Sequence, residues 1–153
     1  MKKISVVTVL AALLLLLNGC VENETTDSEI WQMDYNAAVQ QATAENKYIL
    51  MDFSGSDWCG WCIKLDDDVF SKQEFVDYAQ EHLVSVLVDF PRTTEQSPEQ
   101  EQANKALAEK YKVEGFPTVL ILNPKGELVA RTGYIPGDAN TYIEHIESLI
   151  EAN

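Results

Sequence analysis

Cysteine is scarce in this chain: Cys20, Cys59 and Cys62 are the only three in 153 residues. Three thiols cannot build the multi-bridge framework that holds many small exported domains together, so the fold must rest on a hydrophobic core. Histidine is scarcer still, with His82 and His145 alone, both far along the chain on or near amphipathic stretches. A closed structural zinc site needs four ligands, so zinc would have to recruit both of these remote residues, and no metal is expected. Basic residues are also few, with 11 Lys+Arg against 25 Asp+Glu and a net charge of −14. That balance excludes a phosphate-tracking surface, and with it a nucleic-acid partner. It equally opposes electrostatic docking to anionic lipid. No internal repeat is present, and the length is that of one domain. The longest apolar run, Ile4 to Leu17, falls short of the about 20 residues a membrane-spanning helix needs.

That run has another meaning. Lys2 and Lys3 precede it as a positive n-region, which makes residues 1–19 a secretory signal. "LNGC" places the small Gly19 directly before Cys20 and resembles the lipobox of bacterial lipoproteins. The resemblance implies cleavage before Cys20 and a diacylated Cys20 as first residue of the mature chain. The alternative is ordinary signal cleavage, with Cys20 a spare thiol. Residues 20–30, polar and without periodicity, read as a tether from lipid to domain. The expected location is therefore the cell envelope, facing outside the cytoplasm, with lipid chains as the anchor.

From Trp31 onward the chain has 3.6-period and strand-like segments in turn. Helical spacing runs from Asp34, a plausible N-cap, to Asn46. "YILMDF" (48–53) and "LVSVLVDF" (83–90) are continuous apolar runs suited to strands buried on both faces. Between them a helix opens at the cysteines and runs to about Phe70, and Ser71 with Glu74 predicts a capping box for a second helix to His82. Ser97, Pro98 and Gln100 predict N-cap, N1 proline and capping-box partner for a helix to about Lys112. "TVLIL" (118–122), a turn at 123–126 and "LVART" (128–132) predict a hairpin, and residues 140–152 a closing helix. The sum is an α/β fold, a central mixed sheet with helices on both faces.

The chemistry sits in "SDWCGWCIK", residues 56–64. Cys59 and Cys62 lie where a buried strand gives way to a helix. Backbone N–H groups at a helix start are unpaired and partly positive. A thiolate there is stabilised, and thiol pKa values in such motifs fall from about 8.5 to roughly 3.5–7.5. The first cysteine gains most, and the second lies one turn deeper, within reach of whatever the first captures. Two readings without chemistry stand beside this one: half of a zinc site, or a structural disulfide closing a loop too small to add much stability. Asp66, Asp67 and Asp68 after the motif read as a solvated face.

"MDFSGSDWCGWC" (51–62), "GFPT" (115–118), "GY" (133–134) and "VFS" (69–71) together resemble the thioredoxin superfamily, and within it exported bacterial thioredoxin-like proteins, over about residues 31–151. The resemblance implies a thioredoxin-like domain over 31–153. It implies Cys59 as attacking thiolate, Cys62 as resolving thiol, and Asp52 as the buried acid that handles the resolving cysteine's proton. Trp58, Trp61, Phe116 and a cis Pro117 would form the substrate-binding surface. Gly55-Ser56 stands where the family commonly has Trp-Ala. The implied function is thiol–disulfide exchange with protein thiols and disulfides, reductase or isomerase in type, with no cofactor and with a membrane electron-donor reductase as partner. The alternative from another class is a non-enzymatic binding or chaperone module on the same fold.

Overall fold

The computed structural model describes residues 30–153. The expected signal segment, the Cys20 lipid site and the tether up to residue 29 lie outside the described residues. Strand β1 (Trp31–Gln32) leads into α1 (Tyr35–Glu45), then β2 (Tyr48–Ser54). Helix α2 (Gly60–Leu65) runs without a break into a π-helical turn (Asp66–Phe70), followed by α3 (Gln73–His82) and β3 (Leu83–Asp89). Helix α4 (Pro98–Tyr111), β4 (Thr118–Leu122), β5 (Leu128–Thr132) and α5 (Ala139–Glu151) complete the order.

The sheet order is β1-β3-β2-β4-β5. β1 and β2 flank β3 in parallel, and β4 runs antiparallel to both β2 and β5. The two central apolar runs are thus covered on both faces. On β2, Ile49, Met51 and Phe53 join Ala38, Ala42, Leu107 and Tyr111 of α1 and α4 in one core. Leu50 points the other way, to Leu65, Phe75, Tyr142 and Ile146 of α2, α3 and α5. Period-two alternation therefore puts Asp52 and Ser54 on the second face, beneath the motif helix, where both are buried.

Helix boundaries follow the expected caps with two corrections. Asp34 accepts from the Asn36 and Ala37 amides, and Ser97 accepts from the Gln100 amide. The Ser71–Glu74 capping box does not form. The Ser71 amide closes the π-turn on the Asp66 carbonyl at 2.9 Å, so Ser71 is still helical (ψ −4°). Lys72, extended at ψ 140°, occupies the cap position with no side-chain bond. Gln100 likewise does not close a box: its side-chain oxygen does not reach the Ser97 amide, and its amide nitrogen donates to Asn104 Oδ1 at 2.8 Å. Two elements went unread in the sequence: β1, two residues long, and the Asp138 cap that accepts from the Thr141 amide at 2.9 Å.

Candidate active site

The site is built at the C-terminal ends of the parallel strands β2 and β3. After Ser54 the chain turns on itself, with the Trp58 and Cys59 amides both bonded to the Gly55 carbonyl (3.1 and 2.8 Å). That turn delivers Cys59 to the N-cap of α2, with extended backbone (φ −84°, ψ 104°). Its Sγ accepts the Cys62 amide at 3.3 Å, a donor of the first helical turn that it shares with the Cys59 carbonyl at 3.0 Å. Cys59 and Cys62 are joined in a disulfide, with Cα atoms 5.2 Å apart. Cys59 is the more accessible, at 8% against 4% for Cys62.

Trp58 forms one wall. Its Nε1 donates to the Phe90 carbonyl at 2.8 Å, and the Arg92 guanidinium lies 3.6 Å over its ring. Phe116 meets the indole edge-on at 6.1 Å and stacks on Phe90 at 5.0 Å. Gly55 is required beneath the indole, since a Cβ there would lie 2.5 Å from Trp58 Cε2. This accounts for Gly55 in the Gly55-Ser56 element. The Phe116–Pro117 peptide is cis, as the resemblance implied. Trp61 lies on the outer side, 59% exposed, with its ring 5.0 Å from that of Tyr134. The Tyr134 hydroxyl donates to Asp68 Oδ2, which also pairs with Lys64 at 2.8 Å.

Below the disulfide lies a cavity of about 250 Å³, lined by Asp52 and Cys62 together with Trp31, Ser54, Asp66 and Phe70. Asp52 is 6% exposed, and its Oδ1 has no hydrogen-bond partner. Burial, and then the charges of Asp66 and Asp89, push its carboxyl up to about 8. Asp52 and Cys62 thus line one cavity.

The raised carboxyl has a consequence for stability. An unfolded aspartate ionises near 3.9, whereas Asp52 stays protonated in the folded protein up to about 8. Between these values the folded state binds more protons, so stability falls as pH rises across that window and stays low above it. Asp52→Asn is therefore expected to stabilise the oxidised protein, by little at pH 4 and by on the order of a few kcal/mol at pH 8. Thermal unfolding of both proteins at pH 4, 6 and 8 measures this. A gain independent of pH would mean that Asp52 is not held neutral.

Several residues at the site carried no signal in the sequence. The Asp57 carboxylate accepts the amides of Arg92, Thr93 and Thr94 and the Thr93 hydroxyl. The Thr93 hydroxyl, then the Arg92 amide, hold it well below the usual carboxylate range. This bond set fixes the loop that carries Arg92 over Trp58. Asp89, buried at the end of β3, accepts from the Ser56 amide and hydroxyl (2.9 and 2.5 Å). These partners lie more than 30 positions apart, and no local pattern joins them. The Asp66–Asp68 run faces solvent as expected, but Asp66 also lines the cavity and Asp68 binds Lys64 and Tyr134. His145 Nε2 lies 2.9 Å from Thr132 Oγ1, and His82 lies beside Glu81, both apart from the cysteines. Among the described residues no three His, Cys, Asp or Glu side chains converge as a metal-ligand set.

The family described as "Thioredoxin-like domain" matches residues 35–147. The "Disulfide bond reductase DsbH" of Chlamydia pneumoniae is 38% identical over 121 residues, covering 79% of this chain and 72% of that protein. The "Thioredoxin-related protein DsbJ" of the same organism is 33% identical over 93% of this chain, but the match spans only 44% of its own length. A solved structure titled "DsbH Oxidoreductase" superposes with a TM-score of 0.75 at 37% identity, covering 80% of this chain and 85% of that one.

Proposed function

This chain belongs to the thioredoxin-like domain family, and we propose on that premise that it works as a disulfide reductase outside the cytoplasm. It is a thiol–disulfide oxidoreductase whose redox pair is Cys59–Cys62. The observation that carries the reading is the placement of this pair: Cys59 Sγ accepts the Cys62 amide at the start of α2, and Cys62 borders a cavity that also holds the buried Asp52 carboxyl. The reducing direction draws support from the 38% identical relative named as a reductase.

In the reduced protein, the Cys62 amide and the helix start favour a thiolate at Cys59. That thiolate attacks one sulfur of a substrate disulfide. A Cys59–substrate bond forms, and the second substrate sulfur leaves as a thiolate and takes a proton from solvent. Where Asp52 is ionised, a fraction that grows as pH approaches about 8, Cys62 gives it its proton and attacks Cys59 Sγ, releasing the second substrate thiolate. The substrate gains two electrons and the Cys59–Cys62 disulfide returns. Trp58, Phe116 and Pro117, with the exposed Trp61, form the surface against which the substrate chain lies. Regeneration needs an external dithiol donor, and a membrane reductase is the class that fits an exported chain. The sequence of residues 1–20 supports export and lipid attachment at Cys20, with 20–30 as tether and 31–153 as the working domain.

The reduction potential tests the direction. Thiol–disulfide proteins of this fold span about −270 mV for reductants to about −120 mV for strong oxidants. Equilibration of the Cys59–Cys62 couple against dithiothreitol is expected to give a value nearer the lower limit. A value near the upper limit would overturn the reductase reading and favour oxidation of clients.

A further inference from the structure

Asp52 has company that differs from what a buried carboxylate needs. On β3 the residue directly opposite is Leu87, and on β4 it is Val119. Asp89 lies farther along β3, held by Ser56, and from α5 Tyr142 interacts with the carboxyl electrostatically. From the motif helix the charged neighbour is Asp66. None of these groups is a cation. Among its charged neighbours, a buried acid so surrounded finds only others of its own kind.

Asp66 is placed to be that partner. Cys62, Asp66 and Phe70 recur every four residues and line one side of the cavity that Asp52 borders from the sheet. Asp66 also reaches solvent, unlike Asp52. It opens the π-helical turn, a local widening of the helix found often at functional sites. The cavity, about 250 Å³ and polar on the Asp52, Ser54 and Asp66 sides, has room for water between the two carboxyls. Partial burial and then Asp67 push the Asp66 carboxyl up, against the opposing pull of Lys72.

We propose that Asp66 completes a two-carboxylate proton path, in which Asp52 takes the Cys62 proton across the cavity and Asp66 passes it to solvent. The inference rests on the reading of Asp52 given under Proposed function. The electron pair moves as described there: the Cys62 thiolate bonds Cys59 Sγ and the Cys59–substrate bond breaks. The proton left on Asp52 departs through Asp66, so that Asp52 is ionised again for the next turnover. Asp66 touches neither sulfur nor substrate. It is a positioning residue, acting through the proton affinity of Asp52.

The experiment reads Asp52 directly. The Asp52 carboxyl carbon is titrated by NMR in the oxidised protein, in the parent chain and in Asp66→Asn, Asp66→Ser and Asp67→Asn. Removing the Asp66 charge is expected to lower the Asp52 midpoint by about one pH unit, alike in both Asp66 variants. Asp67→Asn, which removes a charge one residue away from the cavity lining, should move it by less than about a third as much. An unmoved midpoint in the Asp66 variants, or an equal shift in Asp67→Asn, overturns the proposal. In the same variants the single-turnover rate of mixed-disulfide resolution should rise with pH through the Asp52 midpoint, and that limb should move down with it in Asp66→Asn. A midpoint that moves while the rate limb stays would strike out the role of Asp52 in resolution and leave only an electrostatic pair.

Discussion

Replacing Cys59 with serine should reduce insulin-disulfide reduction to the uncatalysed background, a fall of about a thousandfold or more. The serine hydroxyl keeps the size of the thiol but not its ionisation, and the Cys62 amide at 3.3 Å then faces a neutral oxygen in place of an anionic sulfur. Cys62→Ser should lose turnover to a similar degree by a different route. Cys59 still attacks, but nothing displaces the captured sulfur, so the protein accumulates as mixed disulfides that separate on a non-reducing gel and vanish with dithiothreitol. The pair of variants also decides between an enzyme and a binding module. A binding module keeps its partner in both variants and traps nothing covalently. Reductase activity surviving in Cys59→Ser would remove this cysteine from the chemistry altogether.

The second large effect is on folding. Tyr142→Ala should destabilise the protein by about 3–5 kcal/mol, a large share of the about 5–15 kcal/mol that holds a typical domain. Tyr142 is fully buried and meets Phe70, at the end of the motif helix, edge-on at 5.7 Å. Its hydroxyl donates to the Gly133 carbonyl at 3.0 Å. The ring therefore joins α5 to the segment that carries the cysteines and to the chain just beyond β5. Truncation removes the packing and the hydrogen bond together. Tyr142→Phe removes only the bond and should cost about 1 kcal/mol. Urea unfolding of the three proteins measures both, and a loss below about 1 kcal/mol for Tyr142→Ala would mean that α5 does not seal this face of the sheet.

Much of the fold could be read along the chain because its determinants are local. Two continuous apolar runs became the central strands, and the caps at Asp34 and Ser97 began their helices as expected. The errors share a cause as well. Ser71 has the composition of an N-cap, but the π-turn before it claims its amide and keeps it helical. Gln100 has the right spacing, but its side chain bonds Asn104 and does not reach the Ser97 amide. β1 is two residues long and exists only as the parallel neighbour of Ser85 and Val86, so its own sequence carries no strand signal.

The site divides in the same way. Sequence alone placed Cys59 and Cys62 between a strand and a helix, because spacing and apolar context act over a few residues, while Pro117 and Asp52 stood out only through the family resemblance. Tertiary structure decided which acids matter. Asp57 fixes the loop under Arg92, Asp89 holds Ser56, and Asp66 and Asp52 line one cavity. In the sequence these are three members of an acidic surplus. Only the packing of a helix and a loop over two strand ends separates them, because a carboxylate's surroundings are set by what folding brings near it and not by its neighbours along the chain alone.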